Sequence, residues 1–171
     1  MKELIFKIVI LSEKGAGTST MIKRFLNNRL ITDYSDSINC NWFTQYTIID
    51  NNKIKNQIWR IYNLDSAITP HLTSYAHGVI YVFDLSRIET VNFVLKAYEK
   101  TNFECDRVII GNKSDLYNDS LDECINKSIN KINGIKLYKT SMMNNKFIEA
   151  ITDLDKTILE RWSHKKESLD K

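Results

Sequence analysis

Strand-sized apolar runs alternating with helical periodicity restrict this chain more than any other feature. Leu4–Leu11 is a continuous apolar run, the mark of a strand buried on both faces. Val79–Phe83 is a second, ending at Asp84. Arg107–Ile110 is a third, ending at Gly111, and Ile135–Tyr138 a short fourth. Between them Thr20–Asn28, Glu89–Lys100 and Ser120–Ile132 read as helices, and Pro70 suits the first turn of another. Lys146–Trp162 is amphipathic, with Phe147, Ile148, Ile151, Leu154, Ile158, Leu159 and Trp162 on one stripe. Asn41–Asp50 and Ile54–Tyr62 pair as a hairpin through Asp50–Lys53, where Asp and Asn tolerate left-handed angles. One hairpin followed by strand–helix alternation predicts an α/β fold, its mostly parallel sheet covered on both faces.

The 171 residues suit one domain spanning 1–171, either alone or as part of a longer chain. Net charge is +3 with both signs interspersed, and Lys165–Lys166 is the one close basic pair near a terminus, so no nucleic-acid partner is expected. Cys40, Cys105 and Cys124 fit no metal or disulfide spacing and read as free thiols. His71, His77 and His164 form no zinc signature, and His77 is expected at the surface or a helix end. No signal peptide or membrane-length run is present. The chain does not start Met-Gly and ends Ser168-Leu169-Asp170-Lys171, so neither a lipid anchor nor a location other than the cytoplasm is expected.

Ligands of such sheets bind outside the carboxyl ends of the strands. Loops starting at Ser12, Tyr62, Asp84, Gly111 and Lys139 leave those ends. The first runs Ser12, Glu13, Lys14, Gly15, Ala16, Gly17, Thr18, Ser19. A phosphate-binding loop would read G-x-x-x-x-G-K-[ST], so the second glycine and the hydroxyl are present. Serine replaces the first glycine and threonine the lysine. Another reads Gly111-Asn112-Lys113-Ser114-Asp115. A carboxylate there can accept two parallel hydrogen bonds from the N1–H and amine of guanine, which adenine cannot offer. The lysine stem can lie on the purine face, and the asparagine can bridge neighbouring loops. An ordinary polar turn in a chain rich in Asn and Lys is the competing reading.

With these motifs the chain resembles a Ras-superfamily small GTPase, most like the Rab branch. The likeness runs from Lys7-Ile8-Val9 to the last helix. "KNQIWRIYNLD" (residues 55–65) stands where the family has W-D-T-A-G-Q-E, and "GVIYVFDLS" (78–86) where it has a strand ending in Asp. "YKTSMMN" (138–144) stands at the S-A-K loop: Ser141 matches, while Met142 and Met143 replace alanine and lysine. The resemblance implies a G domain of the P-loop NTPase fold, with six strands, five helices and GTP or GDP as ligand. It further implies effector or regulatory proteins binding through the switch regions. Trp42, Phe43 and Tyr46 are candidates for that surface, although core packing explains them equally well.

Carried over by position, the resemblance implies nucleotide contacts at Lys14, Gly15, Ala16, Gly17, Thr18, Ser19, Thr20, Asn112, Lys113, Asp115, Ser141 and Met142. Met142 would use only its backbone N–H. The base-stacking position aligns with Leu30, with Tyr34 nearby. Ser19 and Ser37 align with the hydroxyls that hold Mg²⁺, a cofactor whose site is expected to be weakened. Asp-x-x-Gly becomes Arg60-Ile61-Tyr62-Asn63, which reverses the charge beside the metal. Leu64 takes the place of the glutamine that orients attacking water, so hydrolysis is expected to be slow or absent. Arg60 or Lys14 is a candidate to restore the charge lost at Thr18; alternatively Arg60 turns outward or pairs with Asp65. A nucleotide-free pseudo-GTPase, acting as an interaction module, is the other functional reading.

Overall fold

A computed structural model of the chain describes residues 2–27, 34–36, 40–67, 69–101, 104–132, 134–141, 143–144 and 146–169. The long first strand β1 (Lys2–Ser12) runs parallel to β4 (Asn52–Ile61) on one side and β5 (Gly78–Asp84) on the other. Beyond β5 lie β6 (Asp106–Asn112) and β7 (Lys136–Lys139), both parallel. Antiparallel to β4 is β3 (Cys40–Ile49), and three-residue β2 (Tyr34–Asp36) lies at its outer edge. The six expected strands are therefore present, extended by this short edge strand into the order β2-β3-β4-β1-β5-β6-β7. The hairpin turn needs only Asp50 (φ +46°) and Asn51 (φ +60°), both left-handed as their side chains allow.

Helices cover both faces. On one, α1 (Thr18–Asn27) and α5 (Lys146–Leu169) pack on Leu4, Phe6, Ile8 and Ile10 of β1, with Phe25 meeting Phe147 edge-on at 5.2 Å. On the other, α3 (Val91–Lys100) and α4 (Asp122–Ile129) pack on Val9 and Leu11 of β1 and Tyr81 and Phe83 of β5. The short α2 (Thr69–Thr73) carries Pro70 in its first turn.

Three expectations need correction. β1 is buried on both faces only from Ile8 onward: Lys2, Glu3 and Ile5 are exposed, because pairing with β5 begins at Ile8. The α5 stripe leaves the core at its end, where Trp162 is 47% exposed beneath the Lys2 ammonium. His77 is half-buried rather than freely exposed. It sits between β1 and β5, where its Nδ1 accepts the Lys7 N–H at 2.9 Å and its own N–H donates to the Lys7 carbonyl.

Burial, with the charges of Arg161 and Lys7, lowers the His77 pKa below its ordinary 6.5. The unfolded chain therefore takes up this proton more readily than the folded one as pH falls through 6.5. The His77 contribution is complete above that value and is lost progressively below it. Urea unfolding is expected to give lower stability at about pH 5 than at about pH 7, and His77→Asn to flatten that slope. An unchanged slope in the variant would assign the loss to other groups.

Candidate functional site

The segments following β1, β4, β5, β6 and β7 gather at the carboxyl edge of the sheet. The first joins β1 to α1 and turns on Gly15 (φ +88°) and Gly17 (φ +77°). The Ala16 N–H donates to the Glu13 carbonyl, and the Met21 N–H opens the helix by donating to Gly17. The opening N–H groups of α1 therefore face this edge, as in anion sites at helix N-termini. Ser12 and Thr18 are buried there, and among the described residues their hydroxyl oxygens have no hydrogen-bond partner. Buried hydroxyls are normally paired, so these fit a polar ligand such as phosphate. Lys14 and Thr20 point to solvent as exposed residues.

Asn112 ties that loop to the next two. Its Nδ2 donates to the Ala16 carbonyl at 2.8 Å, and its Oδ1 accepts from the Thr140 hydroxyl at 3.2 Å. A Cβ at Gly17 would stand 2.7 Å from Asn112 Nδ2, so this approach requires glycine. Backbone bonds from Ser114 N–H to Thr140 O and from Thr140 N–H to Gly111 O join the β6 and β7 loops. Lys113, left-handed at φ +62°, lays its stem beside Gly17 and gives its ammonium to Asp84 at 2.6 Å. Asp115 is exposed on the single 3₁₀ turn Ser114–Leu116. The buried Ser141 hydroxyl accepts the Met143 N–H at 3.0 Å and shapes the adjoining turn.

Asp84 is a hub that the sequence reading did not single out. It is fully buried at the end of β5 and accepts from Lys113, Arg87 and Ser86. Burial alone would raise its pKa, but these hydrogen bonds outweigh it and hold the carboxyl below its usual value. Arg87, anchored by this carboxylate, reaches to 3.4 Å from where a Gly15 Cβ would stand. A signal was available: an aspartate closing a wholly apolar strand, with an arginine three residues later.

Arg60 turns inward. On β4, Ile54, Asn56, Ile58 and Arg60 alternate onto the face covered by α1 and α5, leaving Arg60 only 5% exposed. Its Nη1 donates to Ser19 Oγ at 2.7 Å, its guanidinium lies 4.1 Å from the centre of the Tyr62 ring, and Tyr62 Oη is 3.4 Å from Ser19 Oγ. The outward alternative is thereby excluded, and Asp65 pairs with Lys100 instead. A metal ion at a loop of this type needs the helix hydroxyl as a ligand, with a carboxylate nearby. Here the hydroxyl receives a cationic N–H, and among the described residues no cluster of three or more His, Cys, Asp or Glu could hold a metal ion. With its hydroxyl engaged by a guanidinium, the described part of the site is a poor match to Mg²⁺.

Asn63 is not left-handed; its Oδ1 accepts the Asp65 N–H and its carbonyl accepts the Thr69 hydroxyl. Leu64 is part-buried against the α3/α4 core. Phe43 belongs to the core, while Trp42 stacks on Trp59 at 6.0 Å across the hairpin. Leu30, Ser37 and Met142 lie outside the described residues, as does the side chain of Tyr34. Among the described residues no helix is long and apolar enough to cross a membrane.

A model of the Ras family matches residues 7–160. Ras-related protein YPT3 of Nicotiana plumbaginifolia is 28% identical over 173 residues, covering 93% of this chain and 78% of its own length. Ras-related protein Rab-1C of Dictyostelium discoideum is 28% identical over 167 residues, covering 91% of this chain and 83% of its own. Ras-related protein RABA5b of Arabidopsis thaliana is 29% identical over 121 residues, which are 67% of this chain and 56% of that protein.

Proposed function

The chain belongs to the Ras family as a Rab-like small GTPase domain, and we propose that it binds GTP or GDP and hydrolyses GTP slowly or not at all. In this reading it acts as a switch or interaction protein in signalling or vesicle traffic, through the segments around β2, β3 and α2. One observation carries the reading: Asn112 hydrogen-bonds the glycine loop directly, which holds the Asn112-Lys113-Ser114-Asp115 segment against a loop whose buried hydroxyls are unpartnered among the described residues.

The division of labour follows from chemistry. The Asp115 carboxylate accepts from the guanine edge, the Lys113 stem lies along the ring, and a backbone N–H beside Ser141 meets the guanine carbonyl. The N–H groups of Gly15 through Ser19 receive the phosphates, with the Thr18 hydroxyl donating where a charge-bearing side chain is usual. Leu64 cannot orient water, and its side chain packs into the core.

Nucleotide released from purified, denatured protein and separated by chromatography is expected to be GDP or GTP. GTP turnover is expected at or below ~10⁻⁴ s⁻¹. Protein free of nucleotide and giving no thermal shift with GTP or GDP would instead support the interaction module.

A further inference from the structure

We propose that the Arg60 guanidinium is the resident cation of this site, standing where a divalent metal would meet Ser19, so that the nucleotide is held without a metal ion. The inference rests on the guanine-nucleotide reading above.

Strand alternation delivers Arg60 to the α1 face, and its burial keeps it there. The Tyr62 ring supports the guanidinium plane at 4.1 Å, so the side chain is aimed. Its Nη1 takes one lone pair of Ser19 Oγ at 2.7 Å, so a metal ion at that hydroxyl would have to use the other, directly beside the guanidinium charge. A divalent ion would have to displace the arginine or rest against its positive charge. Among the described residues no acidic cluster would offset that repulsion.

The neighbouring position makes the same point independently. Thr18 is a buried neutral hydroxyl without a hydrogen-bond partner among the described residues, where a lysine would bring charge to the phosphates. Arginine carries a positive charge that does not titrate. One side chain from β4 thus supplies the positive charge that a lysine and a metal ion otherwise share.

The test is titration of a fluorescent GDP analogue into nucleotide-stripped protein, in excess Mg²⁺ and again in excess EDTA. The two dissociation constants are expected to differ by less than about tenfold. Arg60→Gln is expected to weaken binding about 10- to 150-fold in both buffers, the range for a lost charged hydrogen bond. Arg60→Lys should recover part of that loss. Binding that weakens tenfold or more in EDTA overturns the proposal while leaving nucleotide binding intact, and so does an Arg60→Gln variant that binds as tightly as the wild type. Binding in neither buffer overturns this proposal and the nucleotide reading together. If Arg60→Gln fails to fold, the wild-type comparison decides alone.

Discussion

Replacing Asp115 by asparagine is expected to weaken GDP binding by about 10²- to 10⁴-fold while leaving the melting temperature nearly unchanged. In the proposed reading, the Asp115 carboxylate accepts two N–H groups of guanine in parallel. Each such charged hydrogen bond contributes about 1.5–3 kcal/mol; asparagine loses one, leaves the other uncharged and sets donor against donor, for about 3–6 kcal/mol of affinity in all. Asparagine does more than remove the charge, because its amide group meets one ring donor with another donor. Asp115 is exposed on a one-turn 3₁₀ segment. Surface positions of that kind change stability little. Titration with a labelled nucleotide and a melting curve on the same sample separate the two quantities. Full affinity in the variant would remove Asp115 from base recognition.

The second large effect falls on stability. Gly17→Ala is expected to lower folding stability by about 2–5 kcal/mol, read by urea unfolding. Two costs combine. A left-handed alanine costs about 1–2 kcal/mol, and at φ +77° Gly17 requires that conformation. The new methyl would stand 2.7 Å from Asn112 Nδ2 and force it from the Ala16 carbonyl. Disrupting a buried hydrogen bond costs about 1–3 kcal/mol more. Gly134 is the control: it also has positive φ (+80°), but nothing lies within 4 Å of its would-be Cβ. Gly134→Ala should therefore show the conformational cost alone, about 1–2 kcal/mol. Equal losses at the two positions would mean that the contact with Asn112 contributes nothing.

Much of the fold was legible because its signals are local. Runs such as Val79–Phe83 lie in the middle of the sheet and are apolar on both faces, and the Asp50–Asn51 turn is written in residues that accept left-handed angles. What escaped depends on pairing across the chain. Tyr34–Asp36 is three residues in a polar stretch, too short for a period, and becomes a strand only through β3. Of the expected helix Ser120–Ile132, the α-helical part is Asp122–Ile129, entered through a 3₁₀ turn. Arg60 shows a different failure. Ile54 and Ile58 already set the inward parity of β4, and Arg60 shares it, yet its charge suggested solvent as an alternative. The period was the better guide, because Ser19 and the Tyr62 ring receive the guanidinium inside.

The strut made by Asn112 also bears on time. By fixing the Ala16 carbonyl and the Thr140 hydroxyl to one side chain, it makes the loop for one end of an elongated ligand part of the same rigid body as the loop for the other. The entropy of ordering those loops is then lost when the chain folds, rather than at each encounter with a ligand. Such a ligand cannot leave by loosening one end and letting that loop swing away. Rigidity of this kind acts chiefly on the rate of escape, so the strut favours long residence over rapid exchange.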